Sequence, residues 1–132
     1  MKTIQCSWFP FAGYKAITIW PFIIVRKSMA WSFTEYDYNH ECIHGRQQVE
    51  MMLFGSVLSI GLFAIGCGWW SLLALPFFFW WYGIEFLVRW FCYGFNWKKA
   101  YRNVAFEKEA YANQMYLDYL EERKLMAWIE YM

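Results

Sequence analysis

The stretch MMLFGSVLSIGLFAIG, residues 51–66, begins an apolar run that extends to residue 96. This run contains only two charged residues, Glu85 and Arg89. It is too long for one membrane span of about 20 residues and has the length of two. The pattern therefore predicts a transmembrane helical hairpin.

The turn of the hairpin is expected at Gly66, Cys67 and Gly68, because glycine allows a helix to end and the chain to reverse. The second arm is predicted to run from about residue 69 to 95, with Pro76 near its start. Two spans return the chain to the side that it left, so both flanking segments share one face of the membrane.

Composition agrees with a membrane protein. Apolar residues make up 60% of the 132 residues and charged residues only 17%, below the roughly 25% that is usual in soluble proteins. The length suits one domain, residues 1–132. The net charge of +1 provides no basic field for nucleic acid, so a nucleic-acid partner is excluded. The four cysteines lack CxxC spacing, which argues against a thiolate zinc site or a disulfide framework.

The cations near the hairpin lie before and after it, whereas its tip carries none. Cationic loops remain on the cytoplasmic side of a membrane. We therefore expect an integral protein of the cytoplasmic membrane, with the lipid bilayer as a partner and the functional face in the cytoplasm. The flanking cations are Lys15, Arg26, Lys27, Arg46, Lys98, Lys99 and Arg102.

The segments outside the hairpin predict a mainly α fold with a short N-terminal β or extended edge. In residues 1–33, YKAITIWPFIIVRK is rich in β-branched and aromatic residues and is broken by Pro21, which suits two short strands or one strand and an extended edge. Residues 34–50 are predicted to form a helix that continues into the first span. Residues 100–132 are predicted to form a helix to about Arg123, followed by an amphipathic tail at the membrane interface.

The start of the first helix has three candidate caps, Thr34, Asp37 and Asn39. Each of these side chains can accept a hydrogen bond from the free backbone N–H groups of a first turn.

The run HECIH contains the only two histidines of the chain, His40 and His44. Residues four apart share a helical face, so both imidazoles can reach one ion, and Glu41 is rotated by about 100° beside it. Zinc lowers the pKa of a bound water and polarises a carbonyl, and the glutamate serves as general base. The motif predicts a zinc hydrolase.

A catalytic zinc takes a third protein ligand and leaves one position open. No third histidine exists, so we expect a carboxylate from AFEKEAYANQ, residues 105–114. This segment follows the hairpin and lies on the same side of the membrane as HECIH.

The two segments HECIHGRQQ and YRNVAFEKEAYAN together resemble the small HExxH and FExEA proteins of the gluzincin clan, some of which are bacterial membrane proteins. The likeness covers roughly residues 34–115. It implies a zinc metallopeptidase of the bacterial cytoplasmic membrane. It also implies Glu107 as the third ligand, because Phe106 precedes it and Ala110 follows three residues later.

A second frame fits the same pattern, with Glu109 as ligand and Asn113 as the amide four residues later. The two glutamates are about 200° apart on a helix, so only one can face the metal. If Glu107 binds, the hydroxyl of Tyr111 could reach the attacking water or a ligand histidine. If Glu109 binds, Asn113 would orient a histidine. Gln47, three residues after His44, could contact substrate or support the site.

The leading functional hypothesis is hydrolysis of a peptide or membrane-protein substrate, with the segment around Ile17–Val25 pairing to an extended chain. One alternative is a zinc-dependent hydrolase of a lipid or another amide or ester, and a further alternative is a non-catalytic zinc-binding membrane protein. A di-iron site would need a second Glu-x-x-His step, for which no histidine remains.

Two further features of the apolar run have open roles. Glu85 and Arg89 predict either a structural ion pair or a functional one. Gly55 and Ser59 form a small-residue step that could serve the fold or a homo-oligomer.

Overall fold

A computed structural model describes residues 1–10 and 13–132, which form a mainly helical protein with one small sheet. The strands are β1 (Lys2–Cys6), β2 (Ala16–Ile19) and β3 (Phe22–Arg26). The helices are α1 (Glu35–Leu62), α2 (Phe77–Cys92), α3 (Trp97–Asn103), α4 (Ala105–Asn113) and α5 (Tyr119–Glu122). Short 3₁₀ segments cover Lys27–Ser32, Gly68–Ala74 and Ala127–Tyr131, and Phe63–Cys67 forms a π-helical turn.

The N-terminal sheet has the strand order β1-β3-β2. The two strands predicted on either side of Pro21 are confirmed as β2 and β3, which pair antiparallel, while β1 was not predicted and pairs parallel to β3. β3 is therefore the central strand, and the prediction that Ile17–Val25 as a whole forms an exposed edge is wrong. The reason is a non-local pairing with β1, which no pattern within residues 14–27 reveals. Of the two predicted strands, only β2 lies at the edge of the sheet.

The N-terminus of α1 forms a capping box. Thr34 is the N-cap: its Oγ1 accepts from Asp37 N at 3.2 Å, and Asp37 Oδ2 accepts from Thr34 N at 2.9 Å. Such reciprocal bonds satisfy two of the backbone donors that a helix start leaves free. The predicted continuation of this helix into the apolar run is confirmed, because α1 is unbroken from Glu35 to Leu62.

The predicted turn is confirmed at Gly66 and Gly68, which have positive φ angles of 96° and 54°. The second arm, predicted from about residue 69 to 95 with Pro76 near its start, is not one regular α-helix over that range. It starts as the 3₁₀ segment Gly68–Ala74, and an α-helix begins only after Pro76. Proline lacks the N–H group that a helix interior needs, and the backbone leaves helical geometry at Pro76 itself, with φ −81° and ψ 39°. In the described part of the chain, one helical segment, Glu35–Ala74, is long and apolar enough to cross a membrane.

Gly55 allows the two arms of the hairpin to touch. A Cβ atom at this position would lie 2.3 Å from the carbonyl oxygen of Ala74, closer than real Cβ contacts. Ser59, one turn further on, is 6% exposed. Of the two roles left open for this small-residue step, the structure shows the one within the fold.

The predicted single helix from 100 to 123 is wrong, because it is divided into α3, α4 and α5. At Val104 the backbone turns to φ −58° and ψ 135°, and α4 starts in a new direction. Glu85 on α2 explains the break: its Oε1 accepts from the backbone N of Ala105 at 2.9 Å and from Arg89 Nε at 2.7 Å. The Glu85–Arg89 pair thus attaches α2 to the first turn of α4.

The C-terminal segment, predicted as an amphipathic tail, has one side packed against the core, whereas Leu125 and Ile129 are exposed. Trp128 is 3% exposed, and its ring lies 4.7 Å from that of Phe106 and 5.7 Å from that of Trp81 between centroids. The segment closes the core behind α4, because burying these rings removes more apolar surface from water than a position on the outside would.

Candidate metal centre

Three buried side chains converge between α1 and α4. The Nε2 atoms of His40 and His44 are 3.1 Å apart. Glu107 Oε1 lies 3.4 Å from His44 Nε2, and its Oε2 lies 3.6 Å from His40 Nε2. The spacing of four residues on α1 places both imidazoles on one helical face, and α4 brings the carboxylate across from them.

Two glutamine side chains face the Nδ1 atoms of the imidazoles. Gln47 Nε2 donates to Phe106 O at 3.1 Å and to Glu109 Oε2 at 3.0 Å, so its Oε1 faces His44 Nδ1, at 2.8 Å. An amide oxygen only accepts hydrogen bonds, so Nδ1 is the donor and Nε2 remains for a cation. Gln114 Oε1 lies 3.1 Å from His40 Nδ1.

The donor set fits a metal ion. Glu107 Oε2 is buried without a hydrogen-bond partner among the described residues, which is costly unless a cation or proton lies there. Burial raises the pKa of Glu107, but attraction to the two neighbouring histidines outweighs burial and holds the pKa well below its usual range. Two imidazole nitrogens and one carboxylate are the ligand set of many catalytic zinc sites. His40, His44 and Glu107 could therefore hold a metal ion.

The structure brings Glu107, and not Glu109, to the histidines. Glu109 is completely buried on the opposite side of α4. There it accepts from Tyr119 Oη at 3.0 Å and forms an ion pair with Arg123, whose second terminal nitrogen lies 3.2 Å from Glu109 Oε2. The guanidinium of Arg123 also binds both carboxylate oxygens of Glu50 on α1.

This rear cluster was not predicted from the sequence. Burial lowers the pKa of Arg123, but its bonds to Glu109 and Glu50 outweigh burial and raise that pKa further above its usual value. The guanidinium is therefore charged between two carboxylates. Through Gln47, which binds both Glu109 and His44, the cluster fixes the orientation of a candidate ligand. The three charged partners come from distant parts of the sequence, so no local spacing signals their contact.

Of the other predicted site residues, Gln47 and Tyr111 reach the candidate ligands and Asn113 does not. Gln47 supports His44, as described above, and the Tyr111 ring packs edge-on against His40 with centroids 4.7 Å apart. Asn113 donates instead to Glu109 O at 2.7 Å and to Tyr131 Oη at 3.0 Å. Gln114 was missed, although its spacing of seven from Glu107 places both on one helical face.

Glu41 lies against the edge strand. Its Oε2 accepts from Thr18 Oγ1 on β2 at 2.7 Å, and the same hydroxyl lies 2.9 Å from Glu41 O. The sequence carries no motif for Thr18, because this contact depends on packing between β2 and α1. On α2, Tyr82 Oη donates to Glu107 Oε1 at 3.0 Å, and this contact was also not predicted.

Two cavities meet beside the donors. The first, of about 350 Å³, has His44, Glu41 and Glu107 at its polar end and is otherwise formed mainly by apolar groups of β2, α2 and Trp97. The second, of about 920 Å³, is reached from His40 and is bordered by cations. These cations are Lys15, Lys98, Lys99 and Arg102.

No family model, curated protein or solved structure matches this chain. The resemblance to gluzincins stays a prediction that rests on the two motifs, and the site is interpreted from its own geometry.

Proposed function

We propose that this chain is a zinc-dependent membrane metallopeptidase that hydrolyses peptide bonds with Glu41 as general base. The observation that carries the proposal is the position of the three donors beside the two cavities: His44 and Glu107 line the smaller one together with Glu41, and His40 lines the larger one. A catalytic zinc keeps one coordination position open, whereas a structural zinc is closed by four protein ligands. Three convergent donors beside a cavity therefore favour catalysis over a purely structural metal.

The proposed reaction divides the work between the metal and the chain. When bound, zinc would polarise the carbonyl and lower the pKa of a water molecule. Glu41 would accept a proton as the water oxygen bonds to the carbonyl carbon, and would pass it to the nitrogen as the C–N bond breaks. The products are a carboxylic acid and an amine. The bond from Thr18 to Glu41 Oε2 holds the base in place and leaves Oε1 for the proton.

The edge of β2 at Ala16 supports binding of an extended peptide. Lys15 O accepts from Arg26 N on β3 at 2.8 Å. Because the backbone N–H and C=O groups of successive residues point to opposite sides of a strand, those of Ala16 and Thr18 face away from β3. The side chain of Gln48 forms hydrogen bonds with this edge like those of a neighbouring strand: Nε2 donates to Thr18 O at 2.7 Å, and Oε1 accepts from Trp20 N at 2.8 Å. Ala16 borders both cavities, so a peptide paired at this residue would pass the site.

The exposed apolar surface of the hairpin supports insertion into a bilayer. Val57, Ile60 and Ile65 are 72%, 71% and 78% exposed. An apolar surface of this extent is typical of contact with lipid or a partner. We propose two membrane-inserted arms, from α1 to α2, with the site on the cytoplasmic side, because the flanking cations lie before and after the hairpin and none lies at its tip.

The test compares purified wild-type protein in detergent with His40→Ala and Glu41→Gln. We expect about one zinc per wild-type chain and loss of zinc in His40→Ala. Glu41→Gln should keep the zinc but lose cleavage of denatured casein by a factor of about 10² to 10⁴. Glu35→Gln is the matched control, because Glu35 is an exposed acid in the first turn of the same helix.

Other outcomes would contradict the proposal. Two irons per chain would replace the zinc assignment with a di-iron site, and unchanged cleavage by Glu41→Gln would remove the general base. Release of fatty acids from phospholipid vesicles without casein cleavage would indicate a lipid hydrolase. Zinc binding without either activity would indicate the non-catalytic alternative.

A further inference from the structure

We infer that the smaller cavity binds a bulky apolar side chain of the substrate, such as Phe, Leu or Met, directly beside the bond to be cut. The inference rests on the proposed peptidase function and specifies its substrate class. Its first ground is continuity: one cavity of about 350 Å³ includes Glu41, His44 and Glu107 at one end and Phe78, Phe86 and Gly83 along α2. A group that fills it is thus adjacent to the reacting carbonyl.

The second ground is the chemistry of the wall. Away from Glu41, His44 and Glu107, the described lining residues include no lysine, arginine or further acid. A charged side chain inserted there would lose its hydration without gaining a partner, which is costly. An apolar side chain would instead gain free energy from burial. The volume lies near the lower end of the range of about 300–1,000 Å³ that is usual for ligand pockets, which suits one large side chain.

The third ground is the placement of the substrate backbone. The edge strand β2 supplies Ala16, Ile17 and Thr18 to the same cavity. In a peptide paired to this edge, successive side chains point to opposite faces. One of the two residues flanking the bond would point into the cavity, while its neighbour would point away from it.

Gly83 determines how much space the cavity offers. This residue lies within α2 and lines the cavity, and a Cβ atom built on it would meet nothing within 4 Å. A larger side chain would therefore occupy the cavity without a steric clash at Cβ. It would also remove a glycine from a helix interior, which favours folding. Gly83 is thus a specificity-determining position.

The experiment uses zinc-loaded protein in detergent, with denatured casein as probe, and maps the cuts by mass spectrometry. Wild type should cut preferentially where one flanking residue is Phe, Leu or Met. Gly83→Leu should lower cutting at these sites by about 10- to 200-fold, the range expected for contacts in an apolar pocket, while cuts at Ala, Ser or Gly persist. Gly61→Leu is the matched control, because Gly61 lies within α1 and a Cβ there also meets nothing within 4 Å.

A binding measurement separates recognition from turnover. The peptide cut best by wild type, labelled with a fluorophore, should bind Glu41→Gln with Gly83 intact and bind Glu41→Gln/Gly83→Leu at least about tenfold more weakly. No residue preference in wild type, or an unchanged profile in Gly83→Leu, would overturn the pocket assignment and leave the peptidase in place. Absence of casein cleavage by zinc-loaded wild type would overturn both. Fatty-acid release from vesicles that Gly83→Leu abolishes would assign the cavity to an acyl chain instead.

Discussion

The front and rear faces of α4 each carry a buried glutamate, and the two are used in opposite ways. On the front, Glu107 accepts one hydrogen bond from Tyr82 and keeps Oε2 without a hydrogen-bond partner beside two histidines. On the rear, both oxygens of Glu109 are occupied by Arg123, and Tyr119 and Gln47 each add a bond. Burial is nearly equal, at 3% and 0% exposed, so burial does not distinguish the two roles.

The difference between the faces lies in what remains unsatisfied. A carboxylate that is fully paired with cations and donors of the chain has no capacity left for a metal ion. A carboxylate with an unpaired buried oxygen gains most from a bound cation. The rear face supports the front face, because Gln47 forms hydrogen bonds with both Glu109 and the imidazole of His44. The following variants test this division of roles, from the largest expected effect to the smallest.

The largest effect is expected from Glu107→Gln on the front face. The amide removes the negative charge from the ligand set, so bound zinc should fall from about one per chain to near zero, and cleavage should fall to background. Circular dichroism should show an unchanged helix content, since Glu107 forms no ion pair with a lysine or arginine among the described residues. If Glu107→Gln keeps its zinc while Glu109→Gln remains folded and loses it, the roles of the two faces are reversed.

Arg123→Met should produce the largest loss of stability. It leaves the carboxylates of Glu50 and Glu109 buried without their cation, and breaking a buried ion pair in this way costs about 3–5 kcal/mol. Denaturant titration in detergent measures the change in the free energy of unfolding. Arg123→Lys is the matched variant, because it retains the charge and loses the planar guanidinium. Its free energy of unfolding should lie between those of wild type and Arg123→Met. A Met variant as stable as wild type would show that the rear cluster does not support the fold.

Gln47→Leu removes the link between the two faces with little change in volume. Residues that orient a metal ligand contribute about 10- to 100-fold to metal affinity, and we expect a loss near the upper end, because the hydrogen bond to His44 Nδ1 disappears. Competition with a zinc-binding dye measures the affinity. Gln48→Leu, at the neighbouring position, is the control and should leave zinc affinity unchanged, since Gln48 contacts β2 and not a histidine.

Tyr82→Phe should have the smallest effect, a loss of zinc affinity of about tenfold. It removes only the hydroxyl that donates to Glu107 Oε1, and the charge and both histidines remain. The expected value lies at the lower end of the effects known for such supporting residues. A loss as large as that of Glu107→Gln would mean that Tyr82 takes part in binding the metal directly.

Local signals in the sequence were sufficient for much of this fold. Thr34 begins α1, the histidines share a face four residues apart, and Gly66 marks the turn. Each of these features depends on backbone and side chains within a few residues. The π turn and the proline at position 76, which interrupt the predicted spans, show that length and hydropathy alone do not determine regular helix.

Non-local contacts explain what the sequence could not provide. The break at Val104 follows from Glu85, and the choice between Glu107 and Glu109 follows from Arg123 and Tyr82. All of these partners lie ten or more residues away. A helical wheel places the two glutamates about 200° apart but does not state which side the histidines occupy.

The unbroken course of α1 has a consequence for where a bond can be cut. From Glu41 to Leu62 the helix rises about 32 Å at 1.5 Å per residue, whereas the hydrocarbon layer of a bilayer is about 30 Å thick. If the hairpin is inserted as proposed, with the glycine turn at the far boundary, Glu41 would lie level with the near headgroups. The length of this one helix would then fix the depth of hydrolysis at the membrane surface, and segments adjoining a membrane anchor would be within reach.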